Sequence, residues 1–126
     1  MISEIFNIKN RIEHQIIISK ITKILNDLKV KNKDTVIIIV SELATNILKY
    51  ANKGKIKFEI NKDIVTIIAI DNGPGIKDID LALKEGFTSG KSLGLGLPSV
   101  KRLSHKMDIE TSSKGTKIIV KLKLEK

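Results

Sequence analysis

Apolar residues recur along this chain with two different spacings, which predict helices in some stretches and strands in others. Apolar positions three to four residues apart indicate a first helix over 11–28, capped by Asn10, and a second that Asp34 caps and that runs to about Ala51. The second helix is apolar almost all round, so we expect it to lie at the centre of the fold. The joint 30–33 between these helices is expected to be polar.

The remaining apolar stretches fit strands, because they alternate or are rich in β-branched residues. Residues 64–70 form a near-continuous β-branched run, which is typical of a central strand. Weaker patterns predict four more strands and two further helices: strands at 2–8, 55–60, 107–111 and 116–124, a short helix at 78–84 and a helix over about 97–105. The pattern predicts one α+β domain over residues 1–126, a two-layer α/β sandwich with about three helices on one face of a mixed, mostly antiparallel sheet.

Composition excludes several classes of function. Cysteine is absent, which leaves no disulfide framework, no thiolate metal site and no cysteine nucleophile. Two histidines, His14 and His105, rarely build a zinc site, and both are expected on polar helix faces. The longest apolar run, 36–40, is too short to span a bilayer, and the first residues lack the pattern of a signal peptide. We therefore expect a cytoplasmic protein that does not associate with membranes.

The chain carries 23 lysines and arginines against 14 acidic residues, a net charge of +9. Such a charge attracts anionic partners in general. The lysines are spread along the whole chain, however, and one tyrosine and three phenylalanines are the only aromatic residues. A base-stacking surface is therefore poorly supplied, and we expect no nucleic-acid partner.

A stripe of polar side chains interrupts the apolar second helix. Glu42, Asn46 and Lys49 are four and three residues apart, so they share one face. Polar groups on a mostly buried helix need partners, because burying them unpaired costs free energy. The stripe predicts either a polar site or a narrow exposed face.

Three glycine-containing segments offer further candidate chemistry. Asp71 ends the central strand and opens the segment DNGPGI, where glycines permit close approach to a ligand, although a capped turn explains the same residues. The segment GKSLGLG (90–96) precedes a helix, an arrangement that suits phosphate binding but is equally explained by a surface loop. Gly115 and Thr116 lie in the last hairpin, where a simple turn into a strand is sufficient explanation.

The order of these signals resembles that of the GHKL (Bergerat-fold) ATP-binding family. SELATNILKYA (41–51) is similar to the family's N box, DNGPGI to its first glycine box, and LGLGL (93–97) to its second. The resemblance covers nearly the whole chain. Within the family, the short length and the segments GFTSG and GLGLPSVKRL look like the small bacterial partner-switching serine/threonine kinases. A single histidine-kinase-like ATPase domain is implied.

The resemblance implies roles for the candidate residues around Mg-ATP. Asn46 matches the Mg²⁺ ligand, and Glu42, one helical turn away, matches the proposed general base. Asp71 matches the carboxylate that accepts a hydrogen bond from the exocyclic amine of adenine. The other implied nucleotide contacts are Gly73, Gly75 and Thr116 near the base, Lys49 near the phosphates, and Gly90, Gly94, Leu95 and Gly96 in a phosphate-covering lid.

Three functional hypotheses follow from this resemblance. The first is a serine/threonine kinase that phosphorylates a STAS-domain antagonist and is then free to bind a PP2C-type phosphatase. The second is an anti-sigma factor that binds a sigma factor in an ATP-dependent manner, and the third is a catalytically silent adaptor. Candidate contacts for an acidic protein partner are Arg11, Lys20 and the segment 99–102.

Overall fold

Five strands form a single sheet and three helices pack on one of its faces in the computed structural model, which describes residues 1–79, 83 and 96–126. This arrangement confirms the predicted α+β fold. The elements in chain order are β1 (Ile2–Ile8), α1 (Arg11–Asp27), α2 (Lys33–Tyr50), β2 (Gly54–Asn61), β3 (Ile64–Asp71), α3 (Leu97–Leu103), β4 (Lys106–Ser112) and β5 (Gly115–Lys123).

The strands lie in the order β1-β2-β3-β5-β4, and each neighbouring pair in this sheet is antiparallel. The β-branched run of β3 occupies the centre, as the sequence predicts, with Val65, Ile67 and Ala69 buried towards the helices. At one end of the sheet the register aligns Gly54, Asp71, Thr116 and Thr111 across four strands.

The second helix lies at the centre of the helical layer, which confirms the expectation from its composition. It contacts α1, α3 and strands β1 to β3, and it buries six side chains: Val36, Ile39, Val40, Leu43, Ala44 and Ile47. The first helix is capped as predicted, because Asn10 Oδ1 accepts a hydrogen bond of 2.9 Å from the backbone N–H of Glu13.

The start of α2 differs from the prediction. The helix begins at Lys33 with Asn32 as its first flanking residue, so Asp34 lies inside the helix instead of capping it. The Asn32 side chain is engaged elsewhere: Nδ2 donates to the Lys123 carbonyl at 3.0 Å, and Oδ1 accepts from the backbone N–H of Glu125 at 2.8 Å. Val30, assigned to a polar joint, is buried. The α1–α2 connection is therefore fastened to the end of β5.

The end of α3 also differs. The helix stops at Leu103, because His105 joins the sheet: its backbone N–H donates to Lys121 and its Nδ1 accepts from the backbone N–H of Lys123 at 2.9 Å. His105 is therefore not on a helix face. Most of the predicted short helix at 78–84 and most of the glycine-rich loop before α3 lie outside the described residues. Among the helices that the structure does describe, none is long and apolar enough to cross a membrane.

Replacing Asn32 by alanine should destabilise the fold. The substitution removes both side-chain hydrogen bonds that fasten the α1–α2 connection to β5, and each typically contributes about 0.5–1.5 kcal/mol. We expect Asn32→Ala to lower the free energy of unfolding by about 1–3 kcal/mol, measured by urea denaturation. Asn7→Ala, on the exposed face of β1, is the matched control and should change it far less. Equal losses in both variants would contradict the fastening role.

Candidate nucleotide-binding site

A pocket opens between α2 and the ends of β3 and β5. Most of its lining is apolar, and four polar side chains face it; the lining residues are Leu43, Asn46, Ile47, Tyr50, Ala69, Asp71, Gly75, Ile76, Leu97, Thr116 and Ile118. Apolar walls with a few convergent polar groups are typical of small-molecule sites. Four of the predicted site residues line this pocket although they come from three separate parts of the chain: Asn46, Asp71, Gly75 and Thr116.

Asp71 is both a turn residue and a pocket residue. It ends β3, and its Oδ1 accepts a hydrogen bond of 2.9 Å from the backbone N–H of Gly73. The capped turn that the sequence allows is therefore present, and it fixes the orientation of a carboxylate that lines the pocket. Gly73 lies against the end of α2, where a Cβ would come within 2.7 Å of the Ala51 Cβ. It is not among the pocket-lining residues.

Gly75 is required by the approach of another strand. Its φ of +84° is strained for other residues, and a Cβ here would collide with the carbonyl oxygen of Ser112 at the end of β4. The next backbone N–H, of Ile76, donates to Thr111 Oγ1 at 2.9 Å. The loop after β3 is thus held against β4, and this close contact within the protein explains the glycine.

Two threonines face each other beside this loop. Thr116 on β5 is buried and lines the pocket, and its Oγ1 lies 2.8 Å from the Oγ1 of Thr111 on β4. Sequence reasoning missed Thr111. The predicted strands 107–111 and 116–124 already place Thr111 opposite Thr116 when they are paired as a hairpin, so pairing them would have found it.

The polar stripe of α2 meets the start of α3. A Cβ placed on Gly96 would lie 3.5 Å from Asn46 Oδ1 and 3.8 Å from Glu42 Oε2, so the chain entering α3 passes directly over both side chains. Asn46 Nδ2 is buried and finds no hydrogen-bond partner among the described residues. Partial burial raises the pKa of the Glu42 carboxyl. An amide nitrogen that the described residues leave without a partner, close to a partly desolvated carboxylate, indicates a candidate ligand-binding site.

The remaining residues predicted to contact the nucleotide phosphates are not among the described residues that line the pocket. Lys49 is exposed, with Nζ 5.2 Å from the centre of the Tyr50 ring, and it does not line the pocket, whereas Tyr50 does. Gly90, Gly94 and Leu95 lie outside the described residues. Across the described part of the chain, no three His, Cys, Asp or Glu side chains gather to hold a metal by themselves.

The first histidine is not the surface residue that the sequence predicts. His14 Nε2 lies 3.1 Å from Ser41 Oγ, a contact that joins α1 to α2 immediately before Glu42. Burial, and secondarily the nearby charge of Arg11, lower the pKa of His14. Periodicity alone could not identify this contact, because it depends on how the two helices are rotated against each other.

A single antiparallel sheet covered by helices, with a pocket between the central helix and the strand ends, defines a class of α+β domain with a small-molecule pocket. Residues 31–126 match the family described as "Histidine kinase-, DNA gyrase B-, and HSP90-like ATPase". The chain therefore belongs to this ATPase family, which confirms the resemblance drawn from its motifs. Membership implies that the domain binds ATP.

Two curated relatives have different functions. The chain is 44% identical over 84 residues to the serine/threonine-protein kinase RsbT of Bacillus subtilis (strain 168), an alignment that covers 63% of each protein. It is 35% identical over 94 residues to the anti-sigma F factor of Clostridium beijerinckii, covering 67% of this chain and 66% of that protein. The matched region thus spans just under two thirds of each relative.

Solved structures agree on the fold. The RsbU and RsbW domains of Rv1364c from Mycobacterium tuberculosis superpose with a TM-score of 0.66 at 13% identity, covering 96% of this chain and 32% of that one. The catalytic domain of the histidine kinase ThkA superposes with a TM-score of 0.58 at 16% identity, covering 95% of both chains. At these identities the likeness concerns the fold alone.

Glu42 should make the stability of the ligand-free protein depend on pH. The pKa of the Glu42 carboxyl in the folded protein lies above its ordinary value of 4.5. The contribution of this carboxyl to the free energy of unfolding is therefore complete below that value and is lost as pH rises through the folded pKa. Glu42→Gln removes this loss, so the variant should gain stability over the parent as pH rises from about 4 to 7. Denaturant midpoints across that range test this.

The matched control is Glu4→Gln, which alters an exposed carboxylate on β1. It should show no comparable gain. A Glu42→Gln advantage that is constant with pH would indicate that desolvation of the charge is not its cause.

Proposed function

We propose that this protein is a serine/threonine kinase of a partner-switching module, which transfers the γ-phosphoryl group of ATP to a STAS-domain antagonist. The observation that supports this most directly is that Glu42 and Asn46 lie on one face of α2, beneath the start of α3. The similarity to a named serine/threonine kinase supports the same function. After transfer, release from the phosphorylated antagonist leaves the kinase free to bind a PP2C-type phosphatase.

The adenine ring occupies the apolar pocket, with its exocyclic amine donating to Asp71. One oxygen of this carboxylate is held by Gly73, which leaves the other to accept from the amine. Guanine carries an oxygen in place of the amine, so two acceptors would face each other. The carboxylate therefore selects adenine.

A magnesium ion fits the residues present. The Asn46 amide oxygen is a hard donor, and it lies beneath the start of α3, 3.5 Å from where a Cβ on Gly96 would stand. With one protein ligand, the rest of the coordination comes from phosphate oxygens and water, as is usual for Mg²⁺. When bound, the ion neutralises the charge that develops on the phosphates. Lys49, Gly90, Gly94, Leu95 and Gly96 are proposed to lie around the phosphates.

Glu42 acts as the general base. Its carboxylate accepts the proton of the substrate hydroxyl while that oxygen forms a bond to the γ-phosphorus, and the bond to the bridging oxygen of ADP breaks. Desolvation raises its pKa, which makes it a stronger base than an exposed glutamate. Its place one turn from Asn46 sets the base next to the phosphates.

Partner recognition is proposed to involve the basic surface of α1. Arg11 and Lys20 are exposed on this helix and favour an acidic partner face. In the segment 99–102, Ser99 and Val100 are buried, so these two do not form the expected contacts.

An anti-sigma factor is the second candidate function, because the chain is also 35% identical to an anti-sigma F factor. That function requires a stable complex with a sigma factor in the presence of ATP, which a switch kinase does not form. The presence of both Glu42 and Asn46 disfavours a catalytically silent adaptor.

Asp71→Asn should weaken ATP binding by about ten- to a hundredfold. The substitution turns a charged acceptor into an amide, and a hydrogen bond to a charged group contributes about 1.5–3 kcal/mol. Calorimetry with ATP and GTP measures the change, and the parent should prefer ATP. Asp108→Asn, on the exposed face of β4, is the control and should bind ATP as the parent does. Unchanged affinity in a folded Asp71→Asn protein would refute the assignment.

Phosphotransfer to a STAS-domain protein tests the proposed function as a whole. Purified kinase and STAS protein with ATP should yield a phosphorylated serine or threonine, detected by mass spectrometry. Glu42→Gln should keep nucleotide binding but slow transfer by about 10²- to 10⁴-fold. Asn46→Ala should lose Mg²⁺-dependent binding and transfer together. Absence of transfer, with tight ATP-dependent binding to a sigma factor, would favour the anti-sigma function instead.

A further inference from the structure

The side of the sheet that is turned away from the helices carries an apolar stripe at its centre. Residues of β2, β3 and β5 that alternate with the buried ones point to this side, which we call the open face. The stripe consists of Ile64, Ile68 and Ile70 on β3, with Ile119 beside Ile68 on β5. Ile64 is 38% exposed and Ile70 is 39% exposed. No helix that the structure describes covers this stripe.

Lysines border the apolar stripe on both neighbouring strands. The register places Ile70 directly between Lys55 of β2 and Lys117 of β5, and Lys121 continues the border on β5. Within the described part of the chain, none of these three lysines makes an ion pair. Their charges are therefore available to an acidic partner.

The dimensions of the open face match those of one α-helix. The stripe on β3 spans about 20 Å from Ile64 to Ile70, a length that a helix of about 13 residues covers. The lysines lie one strand to either side of β3, so the two borders are about 10 Å apart, close to the diameter of a helix. A helix lying along β3 therefore places its apolar face on the stripe and its flanking side chains against both borders.

We propose that the open face docks an amphipathic helix of a partner protein, in which an apolar stripe is bordered on both sides by glutamate or aspartate. The partner helix adds a third layer to the two-layer fold. The open face lies across the sheet from α2 and the pocket, so this docking is independent of the proposed nucleotide function. It is also separate from the basic surface of α1, which leaves that surface free for a second partner.

Two other occupants match the charges of the open face less well. In a symmetric dimer with the sheets face to face, each lysine border would lie over a lysine border of the second copy, and like charges repel. An anionic bilayer would extend beyond the borders to β4, whose outward side carries Asp108 and Glu110. A helix along β3 avoids both problems, because its radius of about 5–6 Å reaches only the neighbouring strands.

A designed peptide tests the docking of such a helix. The probe has about 14 residues and a hydrocarbon staple on its solvent-facing side, with leucines on the opposite face and glutamates along both borders. It should shift the backbone amide NMR signals of β2, β3 and β5, and its affinity should fall as salt rises. A stapled peptide of the same composition in scrambled order should bind about tenfold more weakly or less tightly still.

The first double variant removes the apolar stripe. Ile68→Thr with Ile70→Thr should weaken binding of the probe by about tenfold or more, because apolar contact area is lost. Threonine suits a strand and already occupies this face at Thr66, so the variant should keep the amide spectrum of a folded protein.

The second double variant reverses the charge of the borders. Lys55→Glu with Lys121→Glu should weaken binding of the acidic probe by about 3- to 30-fold, because two attractions become repulsions. Lys23→Glu with Lys33→Glu is the matched control, since it makes the same change in net charge on α1 and α2. The control should bind the probe with nearly the affinity of the parent.

Four results would overturn the proposal. The first is a probe that does not bind, or that shifts only signals of α1 or of the nucleotide pocket. The second is an equal loss of affinity in both charge-reversed variants, which indicates general attraction to a basic protein. The third is a dimer in sedimentation that the stripe variant abolishes, which makes a second copy the occupant. The fourth is binding to phosphatidylserine vesicles that the stripe variant abolishes, which makes a bilayer the occupant.

Discussion

The register of β3 against β5 is the constraint on which the site depends. It pairs Asp71 with Thr116, and the neighbouring β4–β5 register adds Thr111 to the same row. Because side chains alternate between the two faces of a strand, a slip by one residue would turn Asp71 or Thr116 away from the helices. The buried alternation of β5, through Ile118, Val120 and Leu122, opposes such a slip. Core packing and site geometry are therefore fixed by the same pairing.

The central helix α2 contributes both to the apolar core and to a polar site, and the second role costs stability. One side buries residues such as Val40 and Leu43 against the sheet, while the adjacent stripe holds Glu42 and Asn46 partly desolvated. The raised pKa of Glu42 lowers the stability of the ligand-free protein at neutral pH, and so does an Asn46 amide nitrogen that the described residues leave without a hydrogen-bond partner. The extensive apolar contacts of α2 offset this cost, and the same features favour binding of a ligand that supplies the missing partners.

Glycines around the site allow close contacts between neighbouring backbone segments. Gly75 admits the Ser112 carbonyl, Gly73 admits the end of α2, and Gly115 admits the carbonyl of Asp71. These contacts hold the loop after β3 between α2 and the β4–β5 hairpin. A motif that sequence comparison associates with a nucleotide is thus also a structural joint, which fixes the orientation of Asp71 before any ligand binds.

The sequence by itself determined the five strands and three helices that the structure describes, though not all of their ends, the central place of α2 and β3, and the shared face of Glu42 and Asn46, because these depend on periodicity within single segments. Only the tertiary structure decided the roles of Asn32, His14 and Thr111, because their hydrogen-bond partners are distant in the sequence or lie on another strand or helix. Asn32 illustrates the difference: local rules favour Asp34 as the cap, but the end of β5 engages Asn32 and sets where α2 begins. Local sequence determines on which face of a helix or strand a residue lies. Tertiary packing determines which residue of another element that face contacts.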